Sequence, residues 1–127
     1  KDKYLKGEHR KTIIVGEFNI APLPDDVWSH KALLNVVSHT KIETDLLSEI
    51  KKNGKWLDTF RELIPSGKLY SWWSYRARDW KASNRGRRLD HIWASNDLKS
   101  KLSRVEVFPE ARGWERPSDH VPILAIF

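Results

Sequence analysis

Apolar residues along this chain fall into short runs whose spacing changes partway. Thr12-Ile13-Ile14-Val15-Gly16 is a β-branched run closed by glycine and predicts a buried strand. It delivers Glu17, Phe18 and Asn19 to the strand's carboxy end, where open α/β sheets keep their chemistry. Ala21 to Asp26, with two prolines and two aspartates, predicts a loop. From Thr44 to Asn53 the spacing turns helical: Leu46, Leu47 and Ile50 share a face, Thr44 is placed to cap the start, and Asn53-Gly54 to stop it. Trp56 to Leu63 predicts a second short helix, closed off by Pro65 and Gly67. Thereafter Leu69 to Tyr75, Leu89 to Ser95, Val105 to Phe108 and Val121 to Phe127 are aromatic or β-branched runs between polar loops, and predict strands. A strand, then helices, then several strands makes an α+β or layered α/β domain.

Composition narrows what such a domain does. A chain of 127 residues holds one core rather than two. No stretch approaches the roughly 18 to 20 apolar residues that span a bilayer, and no secretory leader opens the chain. No membrane contact and a cytoplasmic location are therefore expected. Cysteine is absent, so disulfides and thiolate metal sites are excluded and His, Asp, Glu and Asn remain as ligands. Methionine is absent too, even at position 1, and the expectation is a piece of a longer protein. The net charge of +6 favours a polyanionic partner such as nucleic acid. Seven tryptophans are costly to expose but make stacking surfaces for bases and sugars; at least four are expected in the core.

Four polar clusters stand at the ends of the predicted strands. In Gly16-Glu17-Phe18-Asn19, the carboxylate and the amide are two positions apart and share a strand face. Such a pair holds a hard cation or orients a water against phosphorus, or else simply caps a turn. Asp90, in Arg88-Leu89-Asp90-His91, lies within an apolar strand and needs a partner there. That partner is an imidazole that it orients, or an arginine in a structural ion pair. Ser118-Asp119-His120-Val121 sets an acid beside a histidine at a strand entrance, suited to metal, phosphate or proton transfer. Between Leu69 and Arg88, Tyr70, Trp72, Trp73, Tyr75 and Trp80 are followed closely by Arg76, Arg78, Lys81, Arg85, Arg87 and Arg88. This mixture grips phosphates and stacks on an exposed base or sugar, or forms an amphipathic strand with a solvated basic loop.

Taken in order, GEFNIAP, WLDTFR, SWWSYR, NRGRRLDHIWAS and RPSDHVP resemble the carboxy-terminal half of the exonuclease III family of abasic-site endonucleases, within the endonuclease–exonuclease–phosphatase superfamily. The resemblance runs from about Thr12 to Phe127, leaving residues 1–11 as a short polar lead-in. It implies half of a DNase I-like four-layer α/β sandwich, one mainly antiparallel sheet with helices on one face. It implies metal-dependent phosphodiester hydrolysis in DNA repair, as an abasic-site endonuclease and 3′-to-5′ exonuclease on double-stranded DNA. Asn19 matches the residue that positions phosphate and attacking water, and Glu17 stands where the family has an Asp that acts as base. Asp90 matches the carboxylate that orients the catalytic histidine, and His120 matches that histidine, which contacts the phosphate. Asp119 matches the acid close to the metal, with Glu17 and Asn19 as further ligands. Trp72 matches the aromatic wall of the pocket for an extrahelical abasic sugar; Leu89 and Arg87 lie along it, and Arg76 completes the DNA-binding set. Magnesium suits such an oxygen-rich site, with manganese a substitute.

Two departures accompany the resemblance. Glu17 carries one methylene more than Asp, which moves its carboxylate by roughly 1.5 Å. A misplacement near 1 Å costs about a hundredfold in rate, so lowered activity is expected. The amino-terminal half, which in the family brings another sheet, the main metal-binding Glu, another Asn and a catalytic Tyr, has no counterpart ahead of Thr12. The chain alone is therefore expected to be inactive or very weak, with one apolar sheet face uncovered, although its full-length parent would be a monomer. Two other classes fit the same residues: a non-catalytic DNA-binding module, and a fragment of a phosphodiesterase for small phosphoesters.

Overall fold

A computed structural model describes residues 2–127; Lys1, the first residue of the expected lead-in, lies outside the described residues. A short helix α1 (Asp2–Lys6) leads into strand β1 (Ile13–Glu17), and Pro24–Asp26 forms a 3-10 turn. Helices α2 (His30–Leu33) and α3 (Lys41–Asn53) follow, then strand β2 (Trp56–Asp58) and helix α4 (Thr59–Leu63). Helix α5 (Trp80–Ser83) and strands β3 (Asp90–Ser95), β4 (Arg104–Val107) and β5 (Ile123–Ile126) complete the order. All the paired strands are antiparallel, in a three-stranded sheet ordered β1-β3-β2 and a two-stranded β4-β5 ribbon. No helix of the described residues is long and apolar enough to cross a membrane.

Helix α3 starts at Lys41, three residues ahead of the expected Thr44, because its cap is Thr40, not Thr44. Thr40 Oγ1 accepts from the Glu43 N–H, and the Glu43 carboxylate accepts from the Thr40 N–H at 3.3 Å, a reciprocal capping box. Gly54 ends the helix as expected, donating its N–H to the Ile50 carbonyl. A Cβ at Gly54 would lie 2.5 Å from the Trp56 indole, so close packing, and not its φ of −76°, requires glycine.

The expected helix over Trp56 to Leu63 divides in two. Trp56, Leu57 and Asp58 pair with Ser95, Ala94 and Trp93, and Asp58 then caps α4 by accepting from the Arg61 N–H. Pairing with a neighbouring strand has overridden a local helical pattern. The expected strand from Leu69 to Tyr75 is irregular: Ser71 and Trp72 both donate to the Arg87 carbonyl, a bulge that leaves only isolated bridges at Trp72.

Strand β1 is not the buried strand its β-branched run predicts. It is a sheet edge, with Ile14 packed against Leu47, Trp56 and Trp93 while Ile13 and Val15 on the other face are 45% and 65% exposed. Leu124, Ile126 and Phe127 at the end of the chain are exposed as well. Three tryptophans rather than four are fully buried, Trp56, Trp73 and Trp93, while Trp28, Trp72 and Trp80 are half-buried and Trp114 is exposed.

One buried charge cluster ties the layers together. The Arg88 guanidinium, 1% exposed, forks onto both oxygens of Asp26 and both of Asp58, and Arg61 adds a bond to Asp26 at 2.6 Å. Two-pronged pairing of this kind is the arrangement that makes a buried guanidinium tolerable. It fixes the backbone immediately ahead of Leu89 and Asp90.

Candidate active site

The register of β1 against β3 places Glu17 opposite Asp90. Past Glu17 the chain turns at Asn19, whose φ of +56° is a left-handed conformation that asparagine tolerates. The Asn19 N–H donates to the Leu89 carbonyl at 3.1 Å, which holds the turn against the start of β3. On the other flank, bridges run from Val27 to Arg87, from Arg87 to Trp72, and from Trp72 to His120. Four backbone segments thus lie side by side and bring His120 to the carboxy end of β1.

His120 and Asp90 meet across 30 residues, with Nδ1 2.8 Å from the Asp90 carboxylate. The carboxylate accepts the Nδ1–H, which fixes the ring and turns Nε2 outward. There Nε2 lies 3.9 Å from the Glu17 carboxylate, which is 59% exposed. The nearest histidine in sequence, His91, takes no part: it projects to the opposite face, is fully buried, and bonds through Nε2 to the Ile20 carbonyl. Burial and then the Arg88 charge hold its imidazole below the usual histidine range.

Ser71 is a member of this site to which the sequence assigned no role. It is fully buried, and its Oγ donates to the same Asp90 oxygen at 2.5 Å while accepting the N–H groups of Leu89 and Asp90 at 3.0 Å each. The only sequence signal was its place at the head of SWWSYR, since a serine's partners across 19 residues are not written in local spacing.

Asp119 turns elsewhere: its Oδ2 accepts the Trp72 indole N–H at 3.0 Å, and its backbone carbonyl accepts the Trp73 N–H. Among the described residues, the acidic and imidazole group compact enough to hold an ion is Glu17, Asp90 and His120, with one ligand atom from each lying within 4.8 Å of the others.

A cavity of about 750 Å³ opens beside His120 and Asn19. Trp72 and the buried Leu89 form its inner wall. Arg87 stacks over Trp72 with its guanidinium 5.1 Å from the ring centre, and donates to the Val37 carbonyl and the Ser38 hydroxyl. Burial lowers the proton affinity of this guanidinium from its ordinary value. Arg76, exposed, and Arg85 line the same cavity, so three cations surround it. Of the residues singled out from sequence, Glu17, Asn19, Asp90, His120, Trp72, Arg76, Arg87 and Leu89 converge here, while Asp119 supports the Trp72 wall.

The sequence profile of the Endonuclease/Exonuclease/phosphatase family matches residues 2–120. Exodeoxyribonuclease III of Haemophilus influenzae is 31% identical over 138 residues, covering 98% of this chain and 50% of its own length. An exodeoxyribonuclease of Bacillus subtilis is 30% identical over 122 residues, covering 94% of this chain and 45% of its own. Among solved structures, an AP endonuclease from Archaeoglobus fulgidus superposes with a TM-score of 0.86 at 30% identity, covering 91% of this chain and 44% of its own. The Neisseria 3′ phosphatase NExo bound to a product DNA hairpin superposes with a TM-score of 0.87 at 33% identity, covering 94% and 46%. The chain spans about half the length of the curated relatives it matches, 50% and 45%.

Proposed function

Because this chain belongs to the endonuclease/exonuclease/phosphatase family, we propose that it is the carboxy-terminal half of an exodeoxyribonuclease III-like enzyme of DNA repair. The whole protein would hydrolyse phosphodiesters in double-stranded DNA, beside abasic sites and at 3′ ends. The observation that carries this reading is the Asp90–His120 pair at 2.8 Å, its free nitrogen beside a cavity walled by an indole and ringed by arginines.

The roles follow from position. His120 Nε2 and the Asn19 amide contact the phosphoryl oxygens, and Glu17 takes the proton of the attacking water. Asp90 orients His120, with Ser71 fixing the carboxylate in turn. Trp72, Leu89 and Arg87 wall the sugar, while Arg76 meets the DNA backbone. Oxygen donors around the His120 edge suit a hard cation, so Glu17, with Asn19 beside it, would hold magnesium, or manganese in its place, with further ligands from the other half, while the Asp119 carboxylate is engaged by the Trp72 indole. When bound, the ion supplies charge neutralisation on the phosphoryl group and a more acidic water. The exposed Ile13, Val15, Leu124 and Ile126 support packing of another sheet on this half, which in the whole protein acts as a monomer in the cytoplasm.

The test is a magnesium-dependent cleavage panel of abasic duplex, recessed 3′ ends and small phosphoesters such as inositol phosphates. The isolated chain is expected to bind the DNA but not cleave it, and a protein carrying both halves is expected to cleave the DNA alone. Clear metal-dependent cleavage by the isolated chain would sink the half-site reading. Hydrolysis of the small phosphoesters in preference to DNA would sink the nuclease.

A further inference from the structure

The cavity beside His120 is larger than the proposed substrate's sugar requires. At about 750 Å³ it matches sites that enclose a whole drug-sized ligand, commonly ~300–1,000 Å³. Its inner end, at His120, Asn19, Leu89 and Trp72, accounts for a phosphate and a sugar. Trp28, next to Val27 at the far end of the bridged row from His120, and Arg85 also line it and mark its outer end.

The backbone explains why Arg85 faces inward together with Arg87. Residues 85 and 87 flank Gly86, whose backbone is pressed onto Tyr70: a Cβ there would lie 2.4 Å from the ring. In an extended stretch the flanking side chains share one side, and Arg85 and Arg87 both line the cavity. Each covers an indole, Arg85 over Trp28 at 4.6 Å and Arg87 over Trp72 at 5.1 Å. The two differ in freedom. Arg87 is half-buried and tied to Val37 and Ser38, whereas Arg85 is exposed and can withdraw from the ring it covers.

The side-by-side order Val27, Arg87, Trp72, His120 sets the scale. At ~4.8 Å per step, the backbone at Val27, next to Trp28, lies about 10 Å from Trp72 and about 14 Å from His120. Side chains from both ends line the cavity between them, so a nucleotide whose phosphate lies at His120 extends its base toward Trp28. We propose that the outer end of this cavity is a base-binding compartment, in which Trp28 stacks on the base of an unpaired nucleotide whose phosphate lies at His120. Arg85 rests on the indole when the compartment is empty and moves to the rim when a base enters. The compartment accepts any base, because stacking on an indole uses the face that all bases share. This proposal rests on the DNA phosphodiesterase reading, and it adds base-bearing 3′ ends to abasic sugars as occupants of the same cavity.

The 127-residue chain would be titrated, without divalent metal and at low salt, with two hairpin duplexes. One ends in a mispaired 3′ thymidine nucleotide, the other in an abasic sugar analogue. Trp28→Leu is expected to weaken binding of the base-bearing end by about tenfold, the loss of one base–aromatic stack, and binding of the abasic end by less than about twofold. Trp72→Leu should weaken both. Equal effects of Trp28→Leu on the two ends, or none on either, would overturn the compartment and leave the nuclease reading standing. Failure of the unaltered chain to bind either hairpin would overturn both. A 3′-terminal 2-aminopurine gives a readout independent of the variant's folding. Its fluorescence should be quenched on binding the unaltered chain, and an unquenched bound base would refute the stack.

Discussion

Ser71→Ala removes a single oxygen, and its consequences can be worked from three distances. That oxygen donates to the Asp90 carboxylate at 2.5 Å and accepts two N–H groups, from Leu89 and Asp90, at 3.0 Å each. Ser71 is fully buried, so water cannot replace what is lost. A hydrogen bond to a charged group contributes ~1.5–3 kcal/mol, and a buried donor left without its acceptor costs ~1–3 kcal/mol. The three contacts share one atom and are not additive, so somewhat less than the combined low ends of these three values is the better guide: about 3 kcal/mol. With a urea slope of ~1–3 kcal/mol per molar for small domains, the unfolding midpoint should fall by roughly 1–3 M. Ser71→Cys, similar in volume but weak in hydrogen bonding, should recover little of it. Imidazole nitrogen NMR should show His120 losing its single Nδ1–H tautomer in Ser71→Ala, because Asp90 is then free to turn. A stability within about 0.5 kcal/mol of the unaltered chain, or full recovery with cysteine, would show that volume and not bonding is what Ser71 provides.

Three further outcomes are expected. In a protein carrying both halves, Glu17→Asp should raise cleavage by about a hundredfold, because position outweighs charge: the Glu17–His120 pair is 3.9 Å apart but 59% exposed on the acid, and solvent holds such pairs to ~0–1 kcal/mol. No gain in rate would remove Glu17 from the mechanism. Arg88→Met should cost ~3–5 kcal/mol in urea unfolding, since it leaves the Asp58 carboxylate buried without its cation and Asp26 with Arg61 alone; a loss below about 1 kcal/mol would mean the cluster rearranges. His91, held below the usual range by burial and Arg88, is neutral in the fold while the unfolded chain takes up its proton near pH ~6.5. Its contribution to stability is therefore complete above that pH and declines as the pH falls through it toward the folded value. His91→Leu should flatten the melting temperature between about pH 8 and 5.5, and an unchanged slope would assign the acid sensitivity to other groups.

The sequence by itself determined what local spacing can encode. The helical face of Leu47, the stop at Gly54, the strand ending in Asp90 to Ser95 and the order of the five motifs all follow from residues a few positions apart. These features depend on backbone preference and on side-chain periods, which the chain carries wherever it goes. Tertiary structure decided the rest. Whether Trp56 to Asp58 became helix or strand turned on an open edge of β3, and whether Ile13 and Val15 were buried turned on what covers β1. The resemblance named Asp90 and His120 as partners, but the local reading had only His91 beside the acid, and alternation sends that ring to the other face. Ser71 and Trp28 join the site through the bridges that set Arg87 between Val27 and Trp72, which no local spacing encodes. Contacts of this kind form when loops of tens of residues close, and their specificity resides in the register between segments. No single segment contains that register, which is why the chemistry-bearing residues could be named from the sequence while their partners could not.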